Sequence, residues 1–275
     1  MEKYLNLMLE ENSNLFIFLS HDIDWPIRGP GVNHILKRKD RFSSDIIKKV
    51  LKEKYNPYYN IPDVMEIEEK YKVRSTFFFR PTYENGNVEE YADVIKDLIK
   101  GGWEIGVHLN NVSSLENVVC EKRLVEKVAQ IKIYGSRVHY LRINLEKLHH
   151  VKEAGFLYDS SFCFVKNKID TRNMGFFIYK GLIIFPITIM DTYLFTYMKV
   201  REKDIVRTVN DAVKLALDKQ IKIITILWHD SSLKMKGGRM YTKVIESLAS
   251  NEKIRLVKGI ELAKLIKKVH QLGNV

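Results

Sequence analysis

The sequence predicts an α/β protein, a distorted (β/α) barrel of about seven parallel strands built by one chain of 275 residues. Two observations predict this fold. Strand-like and helical segments alternate along the chain, which is the pattern of parallel strands joined by crossover helices. A charged or imidazole side chain also follows each strand-like segment, and barrels place their sites at the carboxyl ends of the strands. We therefore expect a single catalytic domain over residues 1–275.

Runs of apolar, β-branched and aromatic residues predict the strands. The first run, residues 15–25, is the longest informative one and ends in Ser20-His21-Asp22-Ile23-Asp24-Trp25. The other predicted strands are residues 73–79, 103–107, 138–141, 156–158, 182–190 and 221–228. Polar side chains follow every one of them, so the sequence places the candidate site at one end of the sheet.

Helical periodicity fills the intervals between these strands. One helix begins with Pro62 and Asp63 and repeats apolar residues on one face, which is a helix-start signature. Gly101 and Gly102 supply the stop of a later helix. The predicted helices are residues 61–72, 87–100, 115–131, 145–154, 202–217, 241–248 and 260–269, with a further one at 43–54.

Composition narrows the class of protein. Hydrophobic residues make up 45% of the chain, and no apolar run approaches the roughly 18 residues that cross a bilayer, so we expect no membrane span. Residues 1–11 lack the basic and apolar pattern of a signal peptide. The spacing of Cys120 and Cys163 does not pair them. A cytoplasmic location is therefore the default expectation.

The net charge of +11 raises the question of nucleic acid. The lysines are interspersed with glutamates on helix faces, which indicates solvated surface. The sequence has no helix-turn-helix, zinc-finger or aromatic-platform signature. We therefore expect no specific nucleic-acid partner.

Residues 26–60 form a long excursion after the first strand, outside the alternating pattern. They contain Gly29-Pro30-Gly31, the basic run Lys37-Arg38-Lys39-Asp40-Arg41 and Tyr58-Tyr59. Long loops at the carboxyl ends of barrel strands commonly shape the substrate pocket. We expect a lid or a substrate-contacting insertion, whose basic run faces an anionic glycan, a phosphate-bearing lipid carrier or simply solvent.

Asp22 and Asp24 stand two positions apart at the end of the first strand. Side chains two apart on an extended chain point the same way, so the carboxylates repel each other unless a metal or a shared proton relieves them. The pair therefore predicts a metal site or an acid–base site. The alternative is a pair of loop acids that cap the following segment.

Six short motifs occur in a fixed order over residues 16–230. They are Ser20-His21-Asp22-Ile23-Asp24, Arg74-Ser75-Thr76-Phe77-Phe78-Phe79, Gly102-Trp103-Glu104-Ile105-Gly106-Val107-His108, Arg137-Val138-His139-Tyr140, Ala154-Gly155-Phe156-Leu157-Tyr158-Asp159-Ser160-Ser161 and Leu227-Trp228-His229. Each is weak alone, but in this order they make the chain resemble the polysaccharide deacetylase superfamily. The resemblance implies a distorted seven-stranded barrel and metal-dependent hydrolysis of N-acetyl or related C–N bonds on sugars.

The resemblance also implies roles for individual residues. Asp22 resembles the general base and Asp24 the metal-binding acid, while His108 resembles the first metal-binding histidine. Arg137 resembles the arginine that orients the base. His229 resembles the histidine that protonates the leaving amine.

These roles agree with the chemistry of amide hydrolysis. An amide is a poor electrophile, and a divalent metal helps by acidifying a bound water and by polarising the carbonyl oxygen. The nitrogen leaves only after protonation, which a cationic histidine supplies near neutral pH. Asp191 lies where members of the superfamily keep an acid that supports that histidine.

One departure from the family pattern concerns the metal. The superfamily usually has a second histidine four residues after the first, and this chain has Val112 there. An aliphatic side chain cannot ligate, whereas a catalytic zinc usually takes three protein ligands. Besides water, the candidates for the missing ligand are Asn110, Asn111, His21 and His139, the last of which replaces a proline of the family. The resemblance implies zinc, and the substitution predicts weak or incomplete occupancy.

Six residues near the strand ends are candidates for substrate contacts: Trp25, Asn111, Tyr140, Arg142, Asp159 and Trp228. The two tryptophans could stack on a sugar ring, although aromatics at a barrel rim are about as often packing residues.

The leading functional hypothesis is a metal-dependent deacetylase of an N-acetylated sugar or glycan precursor. A second is hydrolysis of another linear or cyclic amide. A third, prompted by Val112, is a catalytically silent carbohydrate-binding protein.

Overall fold

A curled sheet organises the residues that the computed structural model describes, 15–272. The N-terminal residues 1–11, predicted not to be a signal peptide, lie outside this part. The strands in it are β1 (Leu15–Ile23), β2 (Thr76–Phe79), β3 (Thr82–Tyr83), β4 (Gly86–Asn87), β5 (Glu104–Leu109), β6 (Gly135–Val138), β7 (Tyr158–Asp159), β8 (Phe177–Tyr179), β9 (Leu182–Ile184), β10 (Ile189–Met190), β11 (Ile223–Leu227) and β12 (Ile254–Val257).

The sheet has the topology of an open barrel. Its strands lie in the order β10-β11-β1-β2-β5-β6-β7-β9-β8, with β12 against β1, while β3 and β4 form a separate hairpin. Neighbours in the main sheet run parallel except β8 and β9. Within the described residues no pairing joins β8 to β10, so the barrel is open there. The predicted distorted (β/α) barrel is confirmed.

Two details of the strand prediction are wrong. The segment 182–190 forms two strands rather than one, and β12 is an additional strand, so nine strands run parallel instead of seven. The predicted strand 138–141 is displaced, because β6 ends at Val138 and His139–Leu141 forms a 3-10 turn. This turn carries His139, one of the candidates for the missing metal ligand.

Helices cover the outside of the sheet, as the periodicity predicts. Those in the described residues are α1 (Val32–Leu36), α2 (Ser44–Glu53), α3 (Ile61–Lys70), α4 (Ala92–Lys100), α5 (Leu115–Ala129), α6 (Leu148–Glu153), α7 (Asp191–Thr196), α8 (Ile205–Asp218), α9 (Tyr241–Ala249) and α10 (Gly259–Leu272). None of them is long and apolar enough to cross a membrane.

The alternation of side chains along β1 separates the core from the site. Ile17 and Leu19 pack in the large cluster that the strands form with the outer helices. Phe18 lies instead in a separate cluster with side chains of other strands and of α10. Because successive side chains point to opposite faces, Ser20 and Asp22 follow Phe18 into the barrel interior. The sequence therefore folds with its first carboxylate inside the barrel.

The helix α10 closes the amino-terminal end of the barrel. The backbone nitrogen of Gly259 donates to Thr76 Oγ1 over 3.1 Å, and that of Ile260 donates to Glu104 Oε2 over 2.9 Å. A Cβ on Gly259 would lie 2.4 Å from the Tyr158 ring, so only glycine fits this close approach. The opposite, carboxyl end of the strands is left open for a site.

Candidate active site

Four side chains predicted for the site converge at the carboxyl ends of the strands. The Nε2 atom of His108 lies 3.2 Å from Asp24 Oδ1 and 3.6 Å from Asp22 Oδ2. On the other side, the Nε2 atom of His229 lies 3.5 Å from Asp24 Oδ2. The structure therefore brings these four side chains together.

Arg137 holds Asp22 at the base of this group. The pairing of β5 with β6 sets Arg137 beside His108 in register. Its completely buried guanidinium donates to Asp22 Oδ1 over 2.8 Å, to Ser20 Oγ over 3.0 Å and to Ser160 Oγ over 2.8 Å. A buried guanidinium needs both a counterion and partners for its N–H groups. Asp22 is the counterion in this arrangement, which fixes the carboxylate in place.

The ring of His108 is oriented by the neighbouring strand. Its Nδ1 atom lies 3.0 Å from the carbonyl oxygen of Arg137. A carbonyl can only accept a hydrogen bond, so Nδ1 carries a proton, and in the neutral ring the lone pair lies on Nε2. This lone pair faces Asp24, an arrangement typical of metal-binding histidines whose tautomer is fixed by a carbonyl.

His139 lies on the remaining side of Asp24. Its Nδ1 atom is 3.3 Å from Asp24 Oδ1 and 3.1 Å from His108 Nε2. Burial lowers the pKa of His139 although Asp24 opposes the effect, so the ring is neutral and offers a lone pair. The turn that presents the ring is strained, because Tyr140 and Leu141 both have left-handed backbone angles, with φ of 57° and 53°.

Asp24, His108 and His139 fit a divalent metal ion. Their facing atoms are separated by 3.1, 3.2 and 3.3 Å. Ligands of a tetrahedral zinc, bound at roughly 2.0–2.1 Å, lie about 3.3 Å from one another. Asp24 Oδ1 is buried and accepts no hydrogen bond within the described residues, although buried carboxylate oxygens ordinarily have a donor. The geometry and the unpartnered oxygen are those expected of a metal site.

The charge of Asp24 also suits a metal ligand. Burial alone would raise the pKa of this carboxyl, but the neighbouring imidazoles of His108 and His139 and the charge of His229 hold the pKa well below its usual range. The carboxylate is therefore ionised at neutral pH. Two imidazoles and one carboxylate form a ligand set that zinc accepts.

Asp191 and Ser232 hold His229 from behind. The Nδ1 atom of His229 lies 2.7 Å from Asp191 Oδ1, and its backbone nitrogen donates to Asp191 Oδ2 over 3.1 Å. The Ser232 hydroxyl donates to the same carboxylate. Burial opposes a charge on His229, but the attraction of Asp191 and their hydrogen bond outweigh it and raise the pKa of His229 to about 10. The ring is therefore cationic and presents a proton on Nε2 to the pocket.

The other candidates for the missing metal ligand are engaged elsewhere. His21 lies on the helix side of β1, where its Nε2 atom is 2.8 Å from Glu68 Oε1. The side-chain oxygens of Asn110 and Asn111 both accept other hydrogen bonds. Val112 itself is buried in the main core. Of the candidates, His139 is therefore the one whose ligand atom the fold brings to the pocket.

The prediction of a substrate contact is wrong for two residues. Trp228 is fully buried and donates from Nε1 to the backbone oxygen of Gly238 over 3.1 Å, so its ring cannot stack on a sugar. Asp159 is also fully buried, and its carboxylate accepts hydrogen bonds from Ser136 and Ser161. Both side chains stabilise strand ends beneath the pocket.

The other predicted substrate contacts have accessible side chains. Tyr140 is 69% exposed, its ring centroid lies 3.9 Å from that of His139, and the guanidinium of Arg142 lies 4.9 Å from it. Asn111 is exposed and Trp25 is partly exposed. These four residues stay predictions for substrate binding.

Arg80 and Asp230 belong to the site although the motifs assign them no role. Arg80 donates to the backbone oxygen of Asp24 over 3.0 Å, which fixes the end of β1. Burial and the nearby charge of Asp24 raise the pKa of Asp230 to about 8, although the backbone nitrogen of Asn60 donates to its carboxyl. Their position in the sequence could have identified them as site residues, because each directly follows the end of a strand or a residue predicted for the site.

Comparisons with known proteins bear on the fold. No family profile matches the chain, and neither does any curated protein. Among solved structures, an inferred polysaccharide deacetylase from Mycobacterium smegmatis is 14% identical with a TM-score of 0.66, over 93% of this chain and 91% of that one. The PuuE allantoinase is 14% identical with a TM-score of 0.64, over 91% and 89%.

A third similar structure is a probable polysaccharide deacetylase from Pseudomonas aeruginosa PAO1, 15% identical with a TM-score of 0.63 over 91% of this chain and 90% of that one. The TM-scores and the coverage establish a shared fold, and identities of 14–15% support no conclusion beyond the fold. The chain therefore has the fold of the polysaccharide deacetylases, as its motifs predict.

Proposed function

We propose that the protein is a metal-dependent hydrolase that removes N-acetyl groups from an amino sugar or a glycan precursor. The observation that carries the proposal is the position of Asp24. Its two oxygens lie between a free imidazole lone pair of His108 on one side and the cationic ring of His229 on the other. A metal ligand and a proton donor thus meet in one pocket.

Asp24, His108 and His139 would hold the metal, and zinc suits their chemistry best. When bound, the metal would acidify a water molecule and polarise the acetyl carbonyl. His139 supplies a second imidazole from a different strand end, in place of the one that Val112 removes. We therefore replace the expectation of weak occupancy by that of a three-residue site.

Asp22 would act as the general base. One of its oxygens is held by Arg137, and the other lies on the side of His108, next to the metal ligands. A carboxylate fixed in this position can accept the proton of an attacking water without reorienting. Arg137 keeps that carboxylate oriented and charge-balanced before the proton arrives.

His229 would act as the general acid. Its Nε2–H faces the pocket, and Asp191 keeps the ring in the protonated form that a proton donor needs. As the C–N bond breaks, this proton passes to the amine nitrogen, which otherwise would leave as an unstable anion.

The experiment is acetate release from a panel of N-acetylglucosamine and its short β-1,4 oligomers. We expect release by zinc-loaded protein, loss of release after chelation, and no release by Asp22→Asn with its zinc retained. Asp45→Asn, a change at an exposed carboxylate, serves as the matched control and should behave as wild type. Absence of acetate from every member of the panel with zinc-loaded protein contradicts the proposal.

Hydrolysis of a cyclic amide is the second candidate, favoured by the likeness in fold to the PuuE allantoinase. A carboxylate base and an imidazole acid serve a ring C–N bond equally well. Adding allantoin to the panel separates the two, because ring opening releases no acetate. Sugar binding without hydrolysis of any amide would instead favour a silent carbohydrate-binding protein.

A further inference from the structure

Residues 26–60 carry more than half of the net charge of the chain. They contain nine Lys or Arg and three Asp or Glu residues, a net charge of +6 out of +11. Among the residues that the structure describes, Lys48 is the one basic side chain of the nine in an ion pair, 3.6 Å from Asp45. Unpaired charges of one sign on a short segment repel one another, and a bound anion removes that repulsion.

Trp25 connects this segment to the pocket, because it directly follows Asp24. The centroid of its ring lies 4.7 Å from that of His34 and 5.3 Å from that of Tyr58, both within the insertion. From another side, the Tyr91 hydroxyl donates to the backbone oxygen of Trp25 over 2.7 Å. The insertion therefore packs against the residue that adjoins the metal-binding carboxylate.

Lys37, Arg38 and Arg41, hereafter the basic cluster, lie beside these rings. Arg38 Nη1 donates to the backbone oxygen of His34 over 3.5 Å. After burial, the positive charges of all three members lower the pKa of His34, and Lys37 follows His34 by three residues. The backbone oxygen of Arg41 accepts a hydrogen bond from Lys236, in the loop that follows β11. The cluster thus belongs to the loop after β1 and contacts the loop after β11, and both loops border the pocket.

We infer that the substrate carries a phosphate group and that the basic cluster binds it while the acetylated sugar lies against Trp25. Two guanidinium groups offer forked pairs of donors that match phosphate oxygens, and a lysine adds a point charge. The phosphate is that of a soluble sugar phosphate or that of a lipid-linked sugar, which present the same chemistry. This inference rests on the proposed function for the sugar, but the phosphate preference is measurable without turnover.

The test compares two triple variants that lose the same charge from the same segment. The cluster variant replaces all members of the basic cluster by Gln, and the control variant replaces Lys48, Lys49 and Lys52 of α2 by Gln. Calorimetry measures the Kd of N-acetylglucosamine 1-phosphate and of N-acetylglucosamine for zinc-loaded protein in which Asp22→Asn stops turnover. KM values from initial rates, without the Asp22 substitution, provide a second measurement.

We expect the protein with the unaltered basic cluster to bind the phosphorylated sugar at least tenfold more tightly than the neutral one, since one charge-assisted hydrogen bond strengthens binding by about tenfold or more. The cluster variant should lose this preference and bind neutral sugar as before. The control variant should keep the preference within about twofold. Equal affinity of the protein with the unaltered basic cluster for both sugars overturns the inference, and so does an equal loss of the phosphate preference in both variants.

The outcome is separable from that of the proposed function. A phosphate preference that the cluster variant loses, without acetate release from either sugar, supports the inference and contradicts the function. Equal acetate release from both sugars, unchanged in the cluster variant, supports the proposed function and contradicts the inference. Phosphatidylcholine vesicles with and without 1 mol% polyprenyl-diphosphate-linked N-acetylglucosamine then identify the source of the phosphate. Co-sedimentation only with the vesicles that contain the lipid-linked sugar indicates a lipid-linked phosphate. Binding of the soluble sugar phosphate alone indicates a free one.

Discussion

Removing the guanidinium of Arg137 tests whether Asp22 is the buried anion that a general base must be. Arg137 is completely buried, and it donates to Asp22, to Ser20 and twice to Ser160. Breaking a buried ion pair by deleting one partner costs about 3–5 kcal/mol, because the other charge is left without compensation. We therefore predict that Arg137→Gln lowers the free energy of unfolding by about 3–5 kcal/mol at pH 7.

Urea denaturation, followed by circular dichroism, measures this loss. The double variant with Asp22→Asn should cost less than the sum of the single variants by about 1–3 kcal/mol, since it leaves neither charge unpaired. Arg142→Gln is the matched control, because Arg142 is exposed, and it should stay within about 0.5 kcal/mol of wild type. A loss for Arg137→Gln no larger than that of the control, or strict additivity with Asp22→Asn, would refute the assignment of Asp22 as a charged base.

Three further predictions concern separate parts of the molecule. Asp191→Asn should lower kcat by about 10²–10⁴-fold. The alkaline limb of the pH–rate profile should move to lower pH, because the pKa of His229 then falls from about 10 toward its usual value. Zinc content, measured by elemental analysis, should not change. Burial raises the pKa of Glu104 to about 7, so in the unfolded chain this carboxyl ionises at a lower pH than in the folded protein. Wild type therefore loses up to about 3 kcal/mol of stability as the pH rises from 4.5 to 7, and Glu104→Gln should remove that part of the loss. The same pH dependence of the unfolding free energy in the variant, by urea titration across this range, argues against it. Trp228→Phe should cost about 1–3 kcal/mol of stability through its lost hydrogen bond while KM for sugar stays at the wild-type value, as initial rates will show.

The fold was largely predictable because it depends on local patterns repeated many times. Most of the helices follow from a 3.6-residue apolar period, whereas the short helices α1 and α7 were not predicted, and the strand-end polar groups follow from the barrel itself. The displaced strand at 138–141 shows the limit. The residues Gly135–Val138 form β6 because Ser136 and Arg137 find buried partners on other strands, whereas the more apolar 139–141 turns away with two left-handed residues. Such partners are far apart in the sequence and invisible in its periodicity.

The site was predictable in part for a related reason. Asp22, Asp24 and His108 follow from ordered motifs at strand ends, and the fold does bring them together. The proposed third metal ligand did not follow, because four side chains near the motifs could each supply a ligand atom. The register of β6 and the turn after it favour His139 over His21, which alternation turns to the other face of β1.

A related error concerns aromatic side chains at strand ends. Trp25 and Trp228 both adjoin site residues, and the sequence pattern treats them alike. The first is partly exposed, whereas the second is fully buried and hydrogen-bonded to the backbone of Gly238. Burial at a strand end depends on which loops and helices cover it, and that information is tertiary.

The most direct test of the account is the zinc affinity of His139→Ala. If His139 completes the metal site with Asp24 and His108, removal of its imidazole should weaken zinc binding by at least the 10–100-fold that loss of a ligand's supporting contact costs. Competition with a chromophoric chelator measures the affinity, and His149→Ala, which removes a histidine outside the pocket, is the matched control. We predict a loss confined to His139→Ala, and equal zinc affinity of that variant, the control and wild type would contradict the proposed metal site.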